Sequence, residues 1–125
     1  MKLTLKELFS ASDALKKIGE DSTLDITSKY SIFHNIGIIL SEFEKYDALR
    51  KKLIKEKYGI KLETGEIKVL PEKEHQFLKE LEELQSVEID LDIRMVGESV
   101  MLKLSSVEMY LLKWMIDFSK VEQEL

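Results

Sequence analysis

The sequence predicts an α+β fold, mainly helical, with one long central helix and a small antiparallel sheet formed by a hairpin plus one or two strands. Three observations carry this. Residues 28–58 hold a single stripe at helical spacing, Ile32, Ile36, Ile39, Phe43, Tyr46 and Leu53, broken only by Arg50. Ile60 and Leu62 alternate with charged residues before Glu63-Thr64-Gly65, and Ile67 and Val69 do so after it, as in a hairpin. Val87, Ile89, Leu91 and Ile93 alternate with Glu88, Asp90, Asp92 and Arg94, as in a strand with one wet face.

Taken in order, Thr4 and Glu7 form a capping-box pair, and Leu5, Leu8, Phe9, Leu15 and Ile18 recur on one face up to Gly19, which suits a C′ position. The first helix is therefore residues 5–18. Asp25, Thr27 or Ser28 can cap the long helix that follows. At 1.5 Å per residue that helix spans roughly 45 Å, so one end is expected to overhang the core or to lie against a second molecule. Gly37 inside it marks a mild bend, a close approach by another helix, or a tolerated glycine. Arg50, Lys51, Lys52, Lys55 and Lys57 gather where positive charge complements the helix dipole.

The hairpin turn needs Gly65 at positive φ, and the hairpin's apolar face is expected to cover the end of the long helix. Pro71 suits the first turn of a third helix with Phe77, Leu78, Leu81 and Leu84 buried, ending near Gln85 or Ser86. The strand at 87–93 is expected to pair with the hairpin, since a lone strand leaves its backbone unsatisfied. Residues 95–104, interrupted by Gly97, read as a short strand or irregular link, with a helical turn as the alternative. Ser105 and Glu108 form a second capping box, and Val107, Leu111, Trp114, Phe118 and Val121 continue as a helical stripe that should bury Trp114. A second stripe on that helix, Met109, Leu112, Met115 and Ile116, exceeds what one core needs, so the last helix joins the long helix as a candidate contact surface and these four residues are its interaction residues.

Composition bounds the function. A chain of 125 residues is expected to form a single domain, 1–125, with a core large enough to need no staples. Without cysteine it has no disulfide, thiolate nucleophile or cysteine zinc site, and its net charge of −5 argues against bulk affinity for nucleic acid. Residues 1–6 lack the apolar core of a signal peptide, and the longest uncharged run, 30–41, is too short to cross a bilayer, so no membrane partner is expected. His34 and His75 belong to no recognisable catalytic order. Glu72 and His75 have the Glu-x-x-His spacing of di-iron bundles, but such sites need two of these motifs and two further glutamates. Glu88, Asp90 and Asp92 line one strand face without a calcium-loop pattern. No catalytic, metal or cofactor-binding residue is assigned, and the chain is read as a non-enzyme.

The order of features over residues 46–118 resembles a family of small uncharacterised phage and prophage proteins. The similar parts are Leu53-Ile54-Lys55-Glu56-Lys57-Tyr58-Gly59, the Glu63-Thr64-Gly65-Glu66 turn, the glutamate-rich helix from Phe77 to Leu84, the alternating strand, and the helix opening at Leu104-Ser105-Ser106. The resemblance implies a setting in phages of Gram-positive bacteria and a non-enzymatic role, cytoplasmic in the host cell or virion-associated. The expectation is thus a protein–protein interaction protein, a phage accessory or assembly factor, acting as a homo-oligomer, most simply a dimer, or on a phage or host protein. The alternatives are a stoichiometric inhibitor of a host enzyme or defence system, docking through the acidic run at 72–98, and a nucleic-acid-binding regulator.

Overall fold

In a computed structural model, which describes residues 1–119, the chain is α+β and dominated by helices. Strand β1 (Lys2–Thr4) runs directly into α1 (Leu5–Gly19). The Thr4 hydroxyl accepts the Glu7 N–H at 3.1 Å and the Glu7 carboxylate accepts the Thr4 N–H at 3.2 Å, which satisfies two of the free donors at the helix start. Leu5, Leu8, Ala11, Ala14, Leu15 and Ile18 form its buried face.

Helix α2 (Ile26–Leu53) is capped by Asp25, and its last turn widens into a π-turn (Ile54–Tyr58), giving 33 continuous helical residues. Its inner face buries Ser28, Ser31, Ile32, Asn35 and Ile39. Phe9 of α1 stacks on Phe43 of α2 at 4.6 Å between ring centres. Gly19 is not a left-handed C′ residue: only Gly65 has positive φ, at 88°, among the described residues. Gly19 instead makes room for α2, since a Cβ there would meet Ile36 Cδ1 at 2.8 Å.

The π-turn carries Tyr58 into a second cluster with Phe77 and Leu81, where Leu53, Ile54 and Val69 also pack. The far end of the long helix therefore has a small core of its own and is not a bare overhang. At Gly59 a Cβ would lie 2.5 Å from the Ile54 carbonyl oxygen, so the step from π-turn into strand needs glycine. Strands β2 (Gly59–Lys61) and β3 (Ile67–Val69) pair antiparallel as the expected hairpin. Val69 packs on Tyr58, whereas Ile60 and Ile67 stay largely exposed.

Pro71 opens a 3-10 turn before α3 (Glu74–Gln85), which returns along α2 far enough for Gln85 Nε2 to donate to Tyr46 Oη at 2.7 Å. That return decides the next pairing. β4 (Glu88–Asp90) is antiparallel to β1, with Leu3 opposite Ile89, and does not join the hairpin. The 12 residues of α3, about 18 Å of helix, carry the strand away from the hairpin and toward the N-terminus. The expected single sheet is thus two separate two-stranded sheets, and the alternating segment is regular for three residues only.

The link at 95–104 is a short helix, α4 (Glu98–Met101), preceded by a parallel bridge between Val96 and Ile116. Helix α5 (Ser106–Leu111) has the expected capping box at Ser105 and Glu108, but it stops after six residues. Leu112 leaves helical geometry (φ −104°, ψ 11°), a 3-10 turn covers Lys113–Met115, and Ile116 is extended. The continuous helical stripe over 107–121 is not formed, and Val121 lies outside the described residues. Trp114 is half-buried and Val107 is exposed.

Candidate association surface

The residues singled out as a second apolar stripe, Met109, Leu112, Met115 and Ile116, do not form an exposed surface. Leu112 and Met115 are fully buried, Ile116 is 2% exposed, and Met109 packs half-buried against the same core. The physical reason is the break at Leu112. Beyond it the chain no longer turns 100° per residue, so residues that a helical projection places outside fold inward against α1 and α2.

The exposed apolar surface lies on α2. Ile26, Tyr30, Phe33, Gly37 and Leu40 follow one another at intervals of four and three residues, the spacing of a coiled-coil seam. At 100° per residue they occupy an arc of about 80°, centred roughly opposite Ser28, Ser31, Ile32, Asn35 and Ile39. Ile26 is 80% and Phe33 76% exposed, with Tyr30 and Leu40 each more than half exposed. Helix α2 thus has an inner face in the core and an outer apolar stripe along its first four turns. From Glu44 onward the outer face becomes charged.

Several contacts tie α2 to its neighbours and border this face. The Asp25 carboxylate accepts the Ser28 N–H at 3.1 Å and the Ser28 hydroxyl at 2.7 Å, and Ser99 of α4 donates to it at 3.1 Å. These hydrogen bonds, those from Ser28 foremost, hold the Asp25 carboxyl below its ordinary range. Asn35, fully buried, grips the backbone of Arg94 from both sides: its Nδ2 donates to the carbonyl at 2.9 Å and its Oδ1 accepts the N–H at 2.8 Å. The Arg94 guanidinium then lies 5.1 Å from the centre of the Tyr30 ring, forming one rim of the outer face. On the other side Leu40 borders a groove of about 490 Å³ between α1 and α2, lined also by Leu15, Gly19, Ile36, Ile39 and Phe43. Around Gly37 the face is notched. Nothing lies within 4 Å of a Cβ placed there, and a shallow depression is bounded by Phe33, His34, Gly37, Ile38, Ser41 and Glu42.

The titratable groups are dispersed. His34 Nε2 lies 2.9 Å from the Asp92 carbonyl oxygen, while His75, Glu88, Asp90 and Asp92 are exposed. Among the described residues no group of three His, Cys, Asp or Glu is placed to hold a metal ion. The basic end of α2 is partly neutralised by its own neighbours. Arg50 and Lys51 each reach Asp47 at 2.9 Å, and Lys57 reaches Glu80 at 2.6 Å. These contacts, Arg50 first for Asp47 and Lys57 first for Glu80, hold both carboxyls below their ordinary range. Burial pushes the Tyr58 hydroxyl up. Among the described residues no helix is long and apolar enough to cross a membrane.

No protein-family model, curated protein or solved structure matches the chain. One sequence signal could have found the outer face: the 4-3-4-3 spacing of Ile26, Tyr30, Phe33, Gly37 and Leu40, which a search for one stripe per helix passes over.

Proposed function

We propose that this chain works by protein association through the outer face of α2, as a non-enzymatic accessory or assembly factor. The single observation behind the reading is an apolar stripe four turns long on the side of α2 opposite its core. Isolated exposed apolar residues are ordinary, but a contiguous run along one helix face is the usual mark of a contact surface. The resemblance to small phage and prophage proteins supplies the setting, inside the host cell or on the virion.

The test is a photo-crosslinking amino acid at Phe33 in cells that naturally carry the gene, with the exposed Lys79 of α3 as the control position. Protein adducts at Phe33, absent at Lys79, are expected. Equal yields at the two positions, or none at Phe33, would contradict the proposal.

A further inference from the structure

We infer that the occupant of this face is a second copy of the chain, its α2 antiparallel to the first and related by a two-fold axis midway between Phe33 and Gly37. The inference rests on the reading of α2 as an association surface and names the partner. Volume complementarity carries the first part of the argument. With the axis at that level, each residue lies opposite the one whose number completes a constant sum, so Phe33 faces Gly37 of the second copy twice over. The most exposed aromatic ring of the seam thereby meets its one residue without a side chain, and the notch at Gly37 is open to receive a ring. The next layers place Tyr30 against Leu40 and Ile26 against the stem of Glu44, which is the knobs-into-holes arrangement that a 4-3 seam supports. A two-fold contact needs such self-complementarity.

Charge fixes the direction. Lys29 flanks the seam near its start and Glu44 sits on it near its end, both exposed. Antiparallel pairing brings Lys29 of each copy beside Glu44 of the other and opposes the two helix dipoles. Parallel pairing would set lysine against lysine and glutamate against glutamate. The area is sufficient as well. If a large side chain offers about 200 Å², Ile26, Tyr30, Phe33 and Leu40 expose on the order of 500 Å² per copy. A pair then buries at most about 1,000 Å² from the seam side chains, near the lower bound of specific interfaces, before the rim at Arg94 is added. Of the two helices expected to carry self-association, α2 has the exposed face and the last helix does not.

The absence of cysteine makes a clean test possible. Ile26→Cys and Glu44→Cys are prepared singly and oxidised under mild conditions, alone and as an equimolar mixture, with light scattering on the unmodified protein across a wide concentration range. In the antiparallel pair, identical positions lie about 27 Å apart along the axis, whereas position 26 of one copy lies level with position 44 of the other. A disulfide closes only over Cα separations below about 7 Å, so linked pairs should form about tenfold more in the mixture than in either variant alone. The unmodified protein should reach the mass of two chains. Efficient linkage within each variant alone would overturn the antiparallel pair. So would a mass of one chain at every concentration with no linkage in the mixture. If Phe33 adducts in cells then contained a different protein, the association reading would stand while its self-pairing fell. If they contained none, both would fall.

Discussion

Replacing Asn35 by alanine should destabilise the fold far more than removing one polar side chain from a surface would. Asn35 is fully buried on the inner face of α2, and both ends of its amide are committed to the Arg94 backbone, at 2.9 and 2.8 Å. It serves the segment after β4 as a neighbouring strand would, supplying one donor and one acceptor. Truncation leaves a partly buried N–H and carbonyl without partners, each worth about 1 to 3 kcal/mol when unsatisfied. Arg94 is itself an exposed residue, so water can reach part of this edge and the lower half of that range applies. The expected loss is about 3 kcal/mol, or on the order of 10 °C in Tm for a chain of this size. Urea denaturation followed by circular dichroism, at one fixed protein concentration, measures it with an unchanged m-value. Asn35→Asp is the control. It keeps the acceptor but buries a carboxylate, which burial raises above its unfolded value, so its penalty is full at high pH and eases as pH falls through the raised value. A loss under about 0.5 kcal/mol for Asn35→Ala would refute the clamp, because it would show that water replaces both bonds at no cost.

Leu112→Glu should abolish the fold rather than dissociate an assembly, since the side chain is fully buried within one chain; an uncompensated charge there costs several kcal/mol, and a folded monomer by circular dichroism and light scattering would contradict the packing. Gly59→Ala should cost about 2 kcal/mol or more, because the added Cβ meets the Ile54 backbone oxygen at 2.5 Å, whereas Gly19→Ala meets only the tip of Ile36 and should cost under about 1 kcal/mol in the same denaturation assay. Stability should decline in acid. Asp25, Asp47, Glu80 and Glu108 all have carboxyls held below their ordinary values, Glu108 by the Ser105 backbone N–H first and by Lys17 next. Folding is therefore favoured by them at neutral pH, and that part is lost as pH falls from about 4.5 through the depressed values. Thermal scans between pH 7 and pH 2 check this, and Glu108→Gln should flatten part of the decline.

Local signals were legible wherever a few neighbouring residues decide the outcome. The capping boxes at Thr4 and Ser105, the Asp25 cap as one of three candidates, the turn at Gly65 and the third helix after Pro71 are all set by contacts within a turn or two. What escaped depends on distant partners. The pairing of β4 with β1 follows from where α3 delivers the chain, and the three residues of β1 are too few to show a period. The end of α5 at Leu112 was hidden because apolar residues on every side of the last segment fit a continuous helix equally well. Leu112, Met115 and Ile116 consequently looked surplus to a core that they complete. The outer stripe of α2 was masked in the opposite way. Two apolar faces on opposite sides of one helix leave little amphipathic contrast, and starting the helix at Ser28 removes Ile26 from view.

The central claim is that the outer face of α2 pairs with that of a second copy, and Gly37 offers the most direct measurement of it. A glutamate side chain at position 37 meets open space in the single chain and replaces a poor helix former with a better one, so Gly37→Glu should keep or slightly raise helix content. The same side chain fills the notch that Phe33 of the second copy would enter. Sedimentation velocity on the unmodified protein and Gly37→Glu, side by side over a wide concentration range, should show two-chain mass for the former and one-chain mass for the latter, with matching circular dichroism. Identical masses for the two proteins at every concentration would contradict the account.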